Sequence, residues 1–142
     1  MWASIRFVFP NGGSSPFGSA QYEWAPAASV VYAIPEHGVT PSLVARYFMS
    51  YHATEAGAAK VRQLDLYPAV TVDLPNRWSL AFYPKNPITY NDVTNKWLVP
   101  IDVMLINRVT KSLELGLGSA YALVKDDPQY KYVLYGRVTF YF

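Results

Sequence analysis

The stretch Tyr130-Lys131-Tyr132-Val133-Leu134-Tyr135-Gly136-Arg137-Val138-Thr139-Phe140-Tyr141-Phe142 closes the chain and decides the fold. Counting back from Phe142, every second residue is apolar, aromatic or glycine: Phe140, Val138, Gly136, Leu134, Tyr132 and Tyr130. The interleaved set mixes Thr139, Arg137 and Lys131 with Tyr141, Tyr135 and Val133. A period of two is the signature of a β-strand whose two faces meet different surroundings.

Seven further segments repeat the pattern, at residues 3–9, 21–34, 43–52, 63–74, 77–83, 97–108 and 113–122. In the sixth, for instance, Trp97, Val99, Ile101, Val103 and Leu105 alternate with a set containing Leu98, Asp102, Met104 and Arg108. In the seventh, Leu113, Leu115, Leu117 and Tyr121 oppose Glu114, Gly116, Gly118, Ala120 and Ala122. No apolar set contains a charge. In a soluble sandwich or barrel the second face would meet water and be dense in charged and hydroxylated residues. Here it holds small residues with isolated charges of both signs: Arg6, Arg46, Arg77, Lys131 and Arg137 against Glu23, Asp65, Asp73, Asp102 and Glu114. Such a set suits a crowded interior where charges pair, because an unpaired buried charge is costly. The polar face is therefore expected to look inward and the apolar face to meet lipid.

Composition agrees. The 142 residues are 51% hydrophobic, 16% aromatic and only 15% charged, with 12 Tyr, 11 Pro and 8 Gly; an average soluble domain carries roughly 25% charged residues. Length allows one domain, and the Pro and Gly content disfavours long helices. Disorder is excluded by the hydrophobic content. With no cysteine there is no disulfide, thiolate nucleophile or Cys-based zinc site. A net charge of +2 does not advertise nucleic acid. No apolar run approaches the ~20 residues of a transmembrane helix. The nearest candidate, residues 25–35, contains Pro26 and Pro35.

Connection lengths supply a second argument, since outer-membrane barrels have an even strand count, short periplasmic turns and longer outer loops. With the C-terminus periplasmic, the outer connections are residues 10–19, 53–60, 84–95 and 125–129, and the inner ones 36–40, 75–76 and 107–111. Aromatic girdles are expected at both rims: Tyr22, Trp24, Tyr51, Phe82, Trp97 and Tyr130 outside, and Trp2, Trp78, Phe140 and Phe142 inside. The expected fold is an all-β, antiparallel up-and-down transmembrane β-barrel of about eight strands. It forms one domain over residues 1–142, with both termini in the periplasm. Met1-Trp2 leads straight into a strand with no signal peptide, which fits either a mature sequence with an added start Met or the C-terminal part of a longer barrel.

The closing residues 130–142, with Phe142, Phe140 and Val138, resemble the C-terminal signal of bacterial outer-membrane proteins, which implies the barrel-insertion machinery as a partner. From Leu64 onward, Leu66-Tyr67-Pro68, Asn76-Arg77-Trp78, Asn86-Pro87-Ile88 and Asn95-Lys96-Trp97-Leu98-Val99-Pro100 resemble the outer-membrane transporters of the phenol-degradation MetA type. That resemblance covers a little over half the chain. It implies passive movement of small, often aromatic or hydrophobic molecules, with no catalytic signature. Members of that family are generally longer and would close a wider barrel, whereas eight strands enclose a space that side chains fill.

Other chemistry is thin. Ser50, His52, Arg46 and Glu55 offer a Ser–His–acid reading of a lipid hydrolase, but Ser50 and His52 on one strand face lie ~7 Å apart at the backbone, and no motif marks the serine as nucleophile. The bland alternative is a rim histidine in a hydrogen-bond network. His37 falls in an expected turn, and two histidines without a third ligand give no metal site. Residues 11–15 (Asn-Gly-Gly-Ser-Ser) lack the context of a phosphate loop, and Asp126-Asp127-Pro128 reads as a turn before a calcium site. Trp97 and Tyr51 read as girdle anchors before ligand-stacking residues. The inward charges read either as a selectivity constriction or as a plug that fills the barrel, and eight strands alone favour the plug. The expectation is therefore a non-enzymatic outer-membrane channel or transporter without cofactor or metal, its partners being the bilayer, a small-molecule substrate and a further copy of the chain. The alternative is a closed structural or interaction barrel with partner-binding outer loops.

Overall fold

Successive runs of alternating residues, punctuated by Pro, Gly and Asn, fold into nine strands of one antiparallel sheet. The computed structural model describes residues 1–10, 21–54, 60–126 and 130–142. The strands are β1 (Trp2–Val8), β2 (Gln21–Val31), β3 (Val39–Ala53), β4 (Arg62–Leu74), β5 (Trp78–Phe82), β6 (Ile88–Asn91), β7 (Lys96–Arg108), β8 (Leu113–Lys125) and β9 (Tyr132–Phe140). Each pairs with its sequence neighbour except around β5 and β6. Those two share a single position between β4 and β7, so nine strands occupy eight places. Among the described residues no ladder joins β1 to β9, and the sheet has two free edges.

The break within residues 78–91 revises the expected outer connection at 84–95. β5 covers the inner half of its neighbours, pairing Trp78–Phe82 with Val70 to Leu74 and with Val103 to Asn107. β6 covers the outer half, from Gln63 to Leu66 on β4 and from Lys96 to Leu98 on β7. The residues left uncovered include Pro68 and Pro100, each of which removes a ladder donor, so continuous pairing is weakest at that height. The chain itself carries Pro84 and Pro87 there. Phe82, expected at the outer rim, consequently lies mid-sheet opposite Val70 and Val103.

Turn chemistry sets the ends. Asn91 Oδ1 accepts from the backbone N–H groups of Val93 (3.0 Å) and Thr94 (3.1 Å), closing the turn between β6 and β7. Between β4 and β5, Asn76 and Arg77 both adopt left-handed conformations at φ 61° and 64°. Arg77 thus sits exposed in the turn one residue ahead of β5, not in the strand itself. Among the described residues one 3-10 turn, Pro35–His37, precedes Gly38, where φ is 60° and an added Cβ would come within 3.2 Å of Asp73 Cβ, so glycine is favoured.

Burial is inverted relative to a soluble protein. On β7 the buried residues are Leu98, Pro100, Asp102, Met104 and Ile106, while Trp97, Ile101 and Leu105 are exposed. On β2, Gln21, Glu23, Ala25, Ala27 and Ser29 are buried, while Trp24 and Val30 are exposed. Leu117 and Phe140 are each 63% exposed. The concave face of the sheet thus carries the small and polar residues and the convex face the large apolar ones, as the alternation implies. Among the described residues no helix is long and apolar enough to cross a membrane.

Candidate functional site: the concave face

The floor of the concave face is made by residues too small to fill it. In β8 a Cβ at Gly118 would clash with the Tyr135 ring, and one at Gly116 would come within 2.7 Å of Met104 Sδ. The two glycines therefore let Tyr135 of β9 and Met104 of β7 lie flat against β8. Around them Ala81, Ile106 and Val133 complete a small apolar cluster.

Asp102 is the organising group. It is 0% exposed, and its Oδ2 accepts from the backbone N–H of Lys85 (3.1 Å) and of Asn86 (2.7 Å) and from Asn86 Nδ2 (3.2 Å). Its Oδ1 accepts from the Tyr135 hydroxyl. Lys85 Nζ lies 4.6 Å from the centre of the Tyr135 ring, within cation–π range. Tyr83, at φ 51°, donates its N–H to Asp102 O (2.9 Å) and its hydroxyl to Pro100 O (3.0 Å). One buried carboxylate thus folds residues 83–87 inward across the concave face. Tyr130, ahead of β9, buries its hydroxyl nearby with no partner among the described residues; burial, then the charge of Asp102, pushes its ionisation above the ordinary tyrosine range.

The other acids are held differently. Asp65 Oδ1 accepts from Gln63 Nε2 (2.8 Å) and Thr89 Oγ1 (3.1 Å), with Arg46 in register on β3. Near the start of β8 Glu114 binds Arg137 at 2.9 Å, stands 3.9 Å from Arg108 and accepts from the Tyr141 hydroxyl at 3.2 Å. Asp73 accepts from Ser79 Oγ (3.0 Å), and together with Arg77, Arg108 and Glu114 it lines a cavity of about 280 Å³. Of the expected inward charges, only Glu114 and Arg137 form an ion pair with each other. Glu23 is buried, Arg46 half-buried, and Arg6 and Lys131 exposed, and none of these four has an ion-pair partner within 4 Å among the described residues. The expectation of general charge pairing is corrected accordingly: neutral donors on Tyr135, Thr89, Gln63 and the 83–87 backbone do most of the work that arginines were expected to do.

A second cavity, of about 350 Å³, opens on the same face between β1, β3, β4 and the inward segment, with Trp2, Arg46, Tyr67, Tyr83 and Pro84 in its wall. Trp2 was expected in the inner girdle. It pairs in register with the buried Ser29, which places its side chain on the concave face. Trp24, Trp78 and Trp97 project from the convex face, where Trp97 stacks on Tyr90 with ring centres 4.7 Å apart. Val138 and Phe140 are also convex and exposed, and Phe142 lies exposed beyond β9.

The Ser–His reading loses its geometry. Between β2 and β3 a bulge leaves Tyr51 without a partner, so Ser50 aligns with Glu23 but His52 aligns with Tyr22. Adjacent residues 22 and 23 face opposite sides, so His52 turns away from Ser50 and packs 5.7 Å from the Tyr22 ring. Ser50 Oγ instead accepts from Val61 N–H at 3.0 Å. Glu55, residues 11–15 and Asp127-Pro128 lie outside the described residues, and no cluster of three potential metal ligands occurs among the described ones.

Sequence alternation included Tyr83 in the inward set but missed Lys85 and Asn86. Their signal was present in a buried mid-strand Asp102, which needs donors, and in the four prolines at 68, 84, 87 and 100, which mark one weak height in the sheet. No family model, curated protein or solved structure matches the chain.

Proposed function

We propose that the chain forms the wall of a bacterial outer-membrane β-barrel through which small molecules pass passively along the concave face. The observation that carries this reading is the inverted burial on successive strands. An aqueous protein exposing Trp24, Ile101, Leu105, Leu117, Leu134, Val138 and Phe140 on one continuous surface would present an apolar patch far larger than monomeric soluble proteins tolerate. In lipid the same surface is the preferred one, and the interior strands of the sheet already pair with neighbours on both sides. Closure follows when β1 meets β9, which run antiparallel, or when further strands or copies complete the wall. The resemblance to the phenol-degradation MetA type adds small aromatic or hydrophobic molecules as cargo, and the separate resemblance of residues 130–142 to the outer-membrane C-terminal signal adds the insertion machinery as the partner that reads them.

A closed structural barrel is favoured by one specific observation, the inward segment at 83–87 anchored on Asp102. Purified protein in planar bilayers separates the two. The passage reading predicts discrete conductance steps that enlarge when Asp102→Ala releases the segment. A tight bilayer with both proteins, each inserted, would establish the closed barrel instead.

A further inference from the structure

Beneath the inward segment lies the cavity of about 350 Å³, whose wall combines aromatic rings with a cation. Trp2, Tyr67 and Tyr83 contribute three flat aromatic surfaces, Pro84 a fourth apolar one, and Arg46 one guanidinium. Arg46 has no carboxylate within 4 Å among the described residues. Its register neighbour Asp65 is already engaged by Gln63 and Thr89. The guanidinium carbon lies 5.9 Å from the Phe48 ring centre, within cation–π range. Arg6 shares the same face across β2: Arg6 pairs with Ala25, and Arg46 with Ala27 two residues along. Two cations therefore flank the small residues Ala25 and Ala27 of β2, one position of the same face apart.

We propose that this cavity is a binding site for a small aromatic monoanion, a single ring bearing a carboxylate, with Arg46 taking the carboxylate and Trp2, Tyr67 and Tyr83 taking the ring. A cavity of roughly 150 Å³ suffices to hold a benzene ring, so the volume here accommodates one ring with its substituent and a few waters. Guanidinium binds carboxylate with two parallel hydrogen bonds, a geometry an aliphatic alcohol or a cation does not satisfy. Rigid aromatic side chains contribute contact area at low entropic cost and prefer a planar partner. A neutral ring would cover Arg46 and desolvate its guanidinium without supplying the close ion-pair partner that it lacks within 4 Å among the described residues. The site rests on the concave face being the route across the membrane and assigns the class of molecule that route selects.

The test is calorimetric titration of the full chain in detergent micelles at low salt with sodium benzoate, benzyl alcohol and sodium acetate. Benzoate is expected to bind more tightly than either of the others. Arg46→Gln should weaken benzoate about tenfold while leaving benzyl alcohol unchanged, and Arg46→Lys should recover part of the loss. Tyr67→Ala should weaken benzoate but not acetate. Circular dichroism confirms that each variant retains its strand content. The proposal is overturned if benzoate releases no binding heat at millimolar concentration, or if a folded Arg46→Gln binds it as the natural chain does. Conductance without benzoate binding would defeat this site and leave passive passage standing. Benzoate binding without conductance would defeat passage and leave the site.

Discussion

The β7–β9 wall and the edge strand β1 are built from the same alternation yet hold their inward residues in opposite ways. In β7–β9 the inward side chains interlock: Tyr135 lies over Gly118, Met104 fits against Gly116, Asp102 is enclosed by four donors and Glu114 is paired with Arg137. In β1 every residue from Trp2 to Phe7 is exposed on both faces, and Arg6 has no ion-pair partner among the described residues. The difference is one of enclosure. The inward segment at 83–87 packs onto the β7–β9 side and covers Tyr135 of the edge strand β9, while the inward residues of the other edge strand, β1, stay exposed. One wall is a rigid scaffold and the other is surface available to a ligand or to a closing strand.

Substitutions that erase this contrast should rank accordingly. Asp102→Ala leaves the Lys85 and Asn86 N–H groups and the Tyr135 hydroxyl without their acceptor. It should cost about 3 kcal/mol or more, since each stranded buried donor costs about 1–3 kcal/mol. Urea unfolding from micelles reads the loss, and trypsin cleavage after Lys85 reads release of the segment; an unchanged midpoint would mean that Asp102 does not anchor it. Gly118→Ala forces Tyr135 off β8 and should cost about 1–3 kcal/mol by the same assay, as overpacking of a tight contact does. Glu114→Gln removes the ion pair with Arg137, whose side chain is 41% exposed. Solvent screening limits that loss to about 1 kcal/mol, shrinking as salt is raised. Arg6→Gln, on the open wall, should change the midpoint by less than about 0.5 kcal/mol. A loss at Arg6 as large as that at Asp102 would show the two walls to be equally enclosed and would remove the contrast between scaffold and open surface.

The facing of each strand is legible in the sequence because period two survives with one exception within the segments read; a second unpaired residue, Leu123, lies just past the alternation read at 113–122. Asp102, Met104 and Ile106 and the run Glu114, Gly116, Gly118, Ala120 read inward and are found inward. The exception is His52, where one unpaired residue, Tyr51, reverses the face of its successor. A bulge of one residue carries no composition signal, so alternation alone cannot report it. The split of residues 78–91 into β5 and β6 is hidden for another reason: Ile88 to Asn91 is too short to show a period, and the flanking prolines read equally as a loop. Trp2 shows a conflict between two rules. Its place in the alternation with Ser4 and Arg6 puts it inside, whereas its position at a rim suggests a girdle, and strand register decides in favour of the alternation.

That same tryptophan offers the sharpest way to ask whether the convex face meets lipid while the concave face does not. Four variants, each keeping one of Trp2, Trp24, Trp78 and Trp97 with the other three replaced by Phe, are folded into vesicles containing brominated phospholipid, and their fluorescence is compared with that in unbrominated vesicles. A lipid-facing convex surface requires strong quenching of Trp24, Trp78 and Trp97 and little of Trp2. Equal quenching of all four, or none in any, would contradict it.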